Sequence, residues 1–109
     1  MNVRLYLWQR GTAVVILPLL LVHLAVILYA SRKGLSAADI LARTRGSVAW
    51  ALYYGVFVAA ISVHASIGAR TVLAEWTPLP ARAVNPVAIL FGLLLALLGF
   101  RAVIAVVAP

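Results

Sequence analysis

The chain has 109 residues, of which 66% are hydrophobic and 10% are charged. Soluble domains are about half apolar, and the excess here falls in runs long enough to cross a bilayer, so the sequence predicts one polytopic membrane domain over residues 1–109. The net charge of +7 sits at the ends of these runs, where anionic lipid attracts it, which argues against nucleic acid as a partner. The sequence contains no cysteine, which excludes disulfides, cysteine-ligated iron–sulfur clusters and covalently attached haem.

The first predicted membrane span covers residues 12–30 and carries no charge. A basic and aromatic segment, residues 1–11, precedes it and is typical of the membrane interface. The apolar run is too long for a signal peptide, so we expect a retained helix. Pro18 interrupts the span, which a membrane helix tolerates when neighbouring groups satisfy the freed carbonyl. His23 is the only ionisable group in this span.

A polar connection, residues 31–46, follows the first span. Within it, Ser36 and Asp39 have the spacing of a capping box, with Asp in place of the usual Glu or Gln. The apolar residues around them predict a short helix lying on the membrane surface between the first two spans.

The second and third predicted spans cover residues 47–73 and 84–108, with a Pro-rich turn at 77–82 between them. Each contains a row of small residues at four-residue spacing, the pattern that allows helices to approach closely in membranes. These rows are Ala51, Gly55 and Ala59 in the second span and Ala88, Gly92 and Ala96 in the third. The first row lies roughly opposite His64, so we expect the second span to pack through this row and hold a ligand on its other side.

The aromatic residues with polar edges support three spans independently of hydropathy. All the Trp and Tyr residues lie near span ends, as in the aromatic belts of membrane proteins: Tyr6, Trp8, Tyr29, Trp50, Tyr53, Tyr54 and Trp76. Basic residues are almost evenly divided between the two sides, so charge alone does not orient the chain.

His64 and His23 are the candidate cofactor ligands. A histidine inside hydrocarbon is costly and usually functional, although a neutral imidazole hydrogen-bonded to a neighbouring helix is the structural alternative. Because no acid lies within a span to support an ion relay, axial ligation of b-type haem is the best functional interpretation. Gly68, one turn from His64, would leave room for a flat macrocycle.

The depths of the two histidines argue against one haem held by both within a chain. At ~1.5 Å per residue, His64 lies about 8 Å inside the Arg70 end and His23 about 17 Å from the Thr12 end, which faces the same side. Axial nitrogens must lie about 4 Å apart, at roughly 2 Å per metal–imidazole bond. We therefore expect each haem-binding histidine to pair with one from another chain. Either a single haem lies at His64 and His23 is structural, or two haems lie at two depths.

Four further residues at the same end are candidates for a polar ligand site. Arg10 and Arg70 flank two spans and are either interfacial side chains or partners of haem propionate or quinone oxygen. Glu75 and Trp76 are either a helix-capping acid and an interface anchor, or a proton donor and a hydrogen-bonding wall of a quinone site.

With these residues in view, the chain resembles the cytochrome b membrane-anchor subunits of succinate dehydrogenase and fumarate reductase. The pattern His64-x3-Gly68-x-Arg70-x4-Glu75 resembles the family's second-helix signature, in which Gly, Arg and an acid follow a haem-ligating His. Residues 8–13, WQRGTA, resemble the start of the family's first helix, where an Arg followed by Ser or Thr lies at the quinone pocket. The acid is Glu75 where Asp is usual, and Trp76 stands where one anchor type has a quinone-binding Tyr.

The resemblance implies a multi-pass anchor in the inner (cytoplasmic) membrane, with its N-terminus on the cytoplasmic side. Its partners would be a flavoprotein subunit, an iron–sulfur subunit, and a second anchor subunit or a copy of itself. Electrons from succinate, a tricarboxylic acid cycle intermediate, would pass through the iron–sulfur subunit to quinone, with haem b close by. His64 would ligate haem, and Arg10, Thr12, Arg70, Glu75 and Trp76 would surround quinone or propionate. A histidine at mid-depth of helix one, like His23, is found in the two-haem members, where it ligates a second haem.

Two other functions are considered beside this one. A haem-free structural anchor of such a complex would satisfy the helix-packing rows alone. A small multi-pass transporter would need a coupling acid within a span, and both acids of this chain lie outside the spans. In each case the chain is not catalytic alone, because it carries neither a flavin-binding fingerprint nor a dehydrogenase site.

Overall fold

The computed structural model describes residues 2–109 as an all-α structure of four helices. They are α1 (Val3–Lys33), α2 (Ala37–Thr44), α3 (Val48–Trp76) and α4 (Ala81–Val107). Helices α1, α3 and α4 are each long and apolar enough to cross a membrane, and α2 is the short helix expected between the first two spans. The predicted fold class is therefore confirmed. The bundle is 48 Å long, so its ends extend beyond the ~30 Å hydrocarbon layer.

The helices are longer than the predicted spans at the end where His64 lies. Helix α1 begins at Val3 rather than at residue 12, α3 continues to Trp76 rather than ending near 73, and α4 begins at Ala81 rather than at 84. The predicted bounds followed the apolar runs, whereas helical hydrogen bonding continues through the interfacial segments beyond them. The side chain of Asn2 supports the early start of α1 by accepting the Leu5 N–H at 2.8 Å.

Helix α3 lies between α1 and α4 and packs against both. Its contact with α4 is close at Gly92, where an added Cβ would lie 2.7 Å from the Cβ of Ser66. The Ser66 hydroxyl donates a hydrogen bond of 2.8 Å to the carbonyl of Ala88, which is buried. Ala88 and Gly92 of the predicted α4 row thus form part of the α3–α4 contact.

The predicted small-residue row of α3 is wrong as a packing surface within this chain. Among residues 2–109, no atom outside the local α3 backbone and the two chain neighbours lies within 4 Å of a Cβ built on Gly55, and Ala59 is exposed. Helix α4 instead packs along the row that contains Ser62 and Ser66. Spacing identifies small faces but not the face that matches a neighbouring helix, and here Ser66 also supplies a hydrogen bond across the contact.

Helix α2 begins with the predicted capping box. The Ser36 hydroxyl accepts the Asp39 N–H at 3.1 Å, and the Asp39 carboxylate accepts the Ser36 N–H at 2.9 Å. The hydrogen bond from the Ser36 backbone holds the pKa of the Asp39 carboxyl below its ordinary value, since it favours the charged form.

The end of α2 is tied to the end of α4. The Thr44 hydroxyl donates to the carbonyl of Val106 at 2.7 Å, and the Gly46 N–H donates to the carbonyl of Val107 at 2.8 Å. Carbonyl groups in the last turn of a helix have no partner within that helix, so the α2–α3 connection caps α4. Gly46 adopts a φ of 71°, which favours glycine.

Candidate functional site

The contact between α1 and α3 contains a polar pair, Thr12 and His64. The Thr12 hydroxyl oxygen lies 3.1 Å from Nδ1 of the His64 ring. Thr12 is only 7% exposed, and His64 is half-buried. A hydrogen bond therefore holds the imidazole at a defined position between two apolar helices. No described residue hydrogen-bonds the other ring nitrogen, Nε2.

The Thr12 hydroxyl is itself fixed by the backbone of α1. It lies 2.7 Å from the carbonyl oxygen of Trp8 and 3.1 Å from that of Gln9. This bond to the preceding turn is usual for Thr in a helix. It makes the hydroxyl a rigid part of the helix surface that faces His64.

One turn closer to the helix ends, Gln9 of α1 lies beside Gly68 of α3. Its side-chain Nε2 is 3.5 Å from the position that a Cβ on Gly68 would occupy. Its Oε1 is buried and has no hydrogen-bond partner within residues 2–109. The space at Gly68 thus faces Gln9, and the predicted use of this space by a macrocycle stays a prediction. Gln9 was not predicted from the sequence, although it precedes Thr12 by three residues and therefore shares its helix face.

A groove of about 740 Å³ is lined by Thr12 but not by His64. Its wall is one face of α1 together with Ala60 of α3, which lies one turn before His64. Most of the lining is apolar, and Arg4 and Trp8 add polar groups toward the start of α1. The volume lies within the range of small-molecule and cofactor sites. Arg4 was also missed, because it precedes the uncharged stretch by which the span was recognised.

Arg70 is directed toward α4 rather than toward His64. Its Nε donates a hydrogen bond of 2.7 Å to the side-chain oxygen of Asn85. Six residues separate Arg70 from His64, which places it about 120° around the helix. Asn85 was not predicted from the sequence, where its signal is a polar side chain in the second turn of a mainly apolar helix.

The remaining predicted site residues lie around the same end of the bundle without contacting His64. Arg10 is exposed, and its guanidinium carbon lies 5.9 Å from the centre of the Tyr6 ring. Glu75 and Trp76 end α3, where both are exposed, Trp76 by 81%. Of the five residues predicted to surround quinone, Thr12 alone hydrogen-bonds His64 within the described part of the chain.

His23 lies in a separate aromatic environment nearer the other end of the bundle. Its ring meets those of Tyr54 and Phe57 edge to face, with centroid distances of 5.7 and 5.5 Å. Its Nδ1 is buried and has no hydrogen-bond partner in residues 2–109. It lines a cavity of about 360 Å³ whose other walls come from α2, α3 and α4.

The two histidines differ more in depth along the bundle than the roughly 9 Å implied by their predicted depths of about 8 and 17 Å. Thr12 adjoins His64, and His23 lies eleven residues further along α1, which corresponds to about 16 Å of helix. The earlier count placed Thr12 level with Arg70, whereas α1 extends well beyond Thr12 on that side. Axial nitrogens lie about 4 Å apart across an iron, so one chain does not offer both histidines to one haem.

Comparison with known protein families gives a match over most of the chain. The model of the succinate dehydrogenase/fumarate reductase transmembrane subunit family matches residues 2–100. The chain therefore belongs to this family, and it is a membrane-anchor subunit whose partners are other subunits of that complex. Comparison with curated proteins and with solved structures gives no significant match.

Proposed function

We propose that this chain is the cytochrome b anchor of a succinate:quinone oxidoreductase, with His64 as an axial ligand of haem b. The observation that carries the proposal is the Thr12–His64 hydrogen bond of 3.1 Å. It holds an imidazole inside a membrane bundle by one nitrogen and leaves the other without a partner among the described residues. A membrane histidine whose two ring nitrogens were both hydrogen-bonded would fit a purely structural role better.

The surroundings of His64 fit a haem group in two respects. An imidazole nitrogen is a suitable iron ligand, and the groove that Thr12 lines is mostly apolar. Bound haem would supply one-electron transfer. In this arrangement His64 would bind the iron, the side-chain N–H of Gln9 would donate a hydrogen bond to a ligand carboxylate, and Arg4 and Arg10 would offer positive charge to such carboxylates near the membrane surface.

A second histidine ligand for that haem would come from another chain, either a second anchor subunit or a second copy of this one. The spacing of about 16 Å along α1 between the levels of the two histidines carries this part of the proposal. A second haem at His23 is a further candidate, because its Nδ1 has no partner among the described residues and the ring borders a cavity.

The His64 end of the bundle contributes to the quinone site in this proposal. Quinone reduction consumes protons as well as electrons, and the Glu75 carboxyl at the end of α3 is suited to proton transfer. The Trp76 indole N–H is a hydrogen-bond donor, and its 81% exposure suits a surface that another subunit covers. Arg70, fixed by Asn85, and Arg10 add positive charge at the same end. We place this end, with the N-terminus, on the cytoplasmic side of the inner membrane, where the flavoprotein and iron–sulfur subunits would dock.

The haem assignment is tested by dithionite-reduced minus oxidised spectra of the purified complex. Wild type, His64→Ala and His23→Ala are compared after co-purification of the other subunits shows that each complex is assembled. We expect His64→Ala to lose b-type absorbance. A partial loss in each variant supports two haems at two depths, and a loss in His64→Ala alone makes His23 structural. An unchanged spectrum in an assembled His64→Ala complex rejects the haem assignment and favours a haem-free anchor.

The quinone assignment needs a separate assay. Glu75→Gln and Trp76→Phe should slow succinate-dependent quinone reduction, while succinate oxidation by a water-soluble electron acceptor that bypasses the membrane subunit should be unchanged. Equal rates of quinone reduction in wild type and both variants would show that these residues do not belong to the quinone site.

A further inference from the structure

We propose that Thr12 is a positioning residue that sets the tautomer of His64, placing the proton on Nδ1 and the free lone pair on Nε2. The tautomer assignment stands on the hydrogen bonds of the chain itself. Its consequence, that Nε2 is the atom which binds iron, rests on the proposed function.

The hydroxyl of Thr12 has one proton and three neighbours that compete for it. Two are the carbonyl oxygens of Trp8 and Gln9, at 2.7 and 3.1 Å, and the third is Nδ1 of His64, at 3.1 Å. Carbonyl oxygens only accept hydrogen bonds. If the proton pointed to Nδ1, two oxygens would face each other at 2.7 Å without a hydrogen between them. The short distance therefore assigns the proton to the bond with Trp8.

Once the hydroxyl proton is assigned, only one neutral tautomer of the His64 ring is compatible with the hydrogen bonds. The Thr12 oxygen can only accept from Nδ1, so Nδ1 carries the hydrogen. A neutral imidazole has one N–H, which leaves Nε2 with an unprotonated lone pair. In metal sites the nitrogen that binds the metal is likewise selected by the hydrogen bond that the other nitrogen makes.

Burial makes this control effective. Thr12 is 7% exposed, so water has little access to replace it as the acceptor. Free imidazole side chains favour the opposite tautomer, with the hydrogen on Nε2, so removal of the acceptor should let His64 shift toward that form. Thr12→Val keeps the shape of the side chain and removes the oxygen, and Thr12→Ser restores the oxygen.

The tautomer is read directly by nitrogen-15 magnetic resonance of the full, haem-free chain in lipid bilayers with labelled histidine. The chain contains two histidines, and the His64 signals are assigned by their loss in His64→Ala. We expect a proton on Nδ1 in wild type and in Thr12→Ser, and a shift toward Nε2 protonation in Thr12→Val. A proton on Nε2 in wild type, or the same tautomer in wild type and Thr12→Val, would overturn the inference.

The consequence for the ligand is tested by haem affinity in the assembled complex. Loss of a group that orients a metal-binding histidine typically lowers metal affinity about 10–100-fold. The haem affinity of Thr12→Val should therefore fall by that factor, and Thr12→Ser should keep the wild-type affinity. Thr71→Val is the matched control, because Thr71 makes the same bond to its own helix, at 3.2 Å to Ile67, and is not hydrogen-bonded to an imidazole. Equal haem loss in Thr12→Val and Thr71→Val would refute a specific role for Thr12.

The two experiments separate this inference from the function on which it partly rests. If His64→Ala leaves the haem spectrum unchanged while the tautomer shifts in Thr12→Val, the haem assignment fails and the tautomer assignment stands. If His64→Ala loses haem and the tautomer is insensitive to Thr12, the reverse holds.

Discussion

Replacement of Gly92 by Ala should separate helices α3 and α4. The added Cβ would lie 2.7 Å from the Cβ of Ser66, 3.0 Å from its hydroxyl oxygen and 3.3 Å from the carbonyl oxygen of Ser62. Carbon atoms pack best at about 3.5–4.0 Å, so the helices must move apart by roughly 1 Å there. Because the nearest atom is a Cβ fixed to the α3 backbone, a change of rotamer does not relieve the contact.

The expected cost follows from two opposing effects. Overpacking of this kind typically destabilises by about 1–3 kcal/mol. Exchange of Gly for Ala inside a helix returns about 0.5–1 kcal/mol, because Ala has less conformational freedom to lose. The hydrogen bond from Ser66 to the Ala88 carbonyl also stretches, and bonds of this type in membrane helices average about 0.6 kcal/mol. We expect a net loss of about 1–2 kcal/mol in the free energy of unfolding.

The assay is unfolding of the full chain by increasing mole fractions of dodecyl sulfate in mixed micelles, followed by helical circular dichroism. Gly55→Ala is the matched control, because no atom of another described helix lies within 4 Å of the Cβ position at Gly55. The same exchange in the same bundle should therefore be stabilising there. In a Ser66→Gly background, which removes the opposing Cβ, Gly92→Ala should cost distinctly less. The reasoning is refuted if Gly92→Ala is as stable as Gly55→Ala, or if its cost is unchanged by Ser66→Gly.

Three further perturbations test other contacts. Tyr53→Phe removes the hydrogen bond from the Tyr53 hydroxyl to the backbone of α1 and should lower unfolding free energy by about 0.5–1.5 kcal/mol in the same micelle assay; no change would show that the bond is not formed. Thr44→Val removes the bond to the last turn of α4 and should speed amide hydrogen exchange in α2, with unchanged exchange as the contrary result. The third concerns pH: because the folded-state pKa of Asp39 is lowered, its stabilisation of α2 is complete above the unfolded pKa and is lost as pH falls through the lower folded pKa. The helical content of α2 should fall with pH in this way in wild type and should not change with pH in Asp39→Ala. Equal dependence on pH in the two proteins would contradict the bond with Ser36.

Local pattern sufficed for the features that depend on single segments. Three apolar runs predicted three spans, and the spacing of Ser36 and Asp39 predicted a capping box that the structure contains. The resemblance carried by residues around His64 predicted the family that the comparison then showed. These features need only the periodicity of one helix or the chemistry of one turn.

The site depends instead on how helices meet, and sequence pattern did not provide that. The hydrogen bond between Thr12 and His64 was not predicted, because it depends on the register of α1 against α3; the expected place of Thr12 beside quinone stays a prediction. Gly55 was expected at a helix contact, yet the Ser66 face of α3 packs on α4 instead. Both outcomes depend on shape and hydrogen bonding between segments distant in the chain, which hydropathy and spacing do not encode.

The two hydrogen bonds from the end of α2 and the following connection to the last turn of α4 have a consequence for biosynthesis. Thr44 and Gly46 donate hydrogen bonds to Val106 and Val107, so this contact forms only after those two residues have been translated and the third span has been inserted. The Thr12–His64 contact, by contrast, needs only the first two spans. The α1–α3 pair can therefore present His64 during membrane insertion, while the opposite end of the bundle is closed last. In ribosome-stalled chains of increasing length, residue 64 should become protected from solvent before residue 44 does.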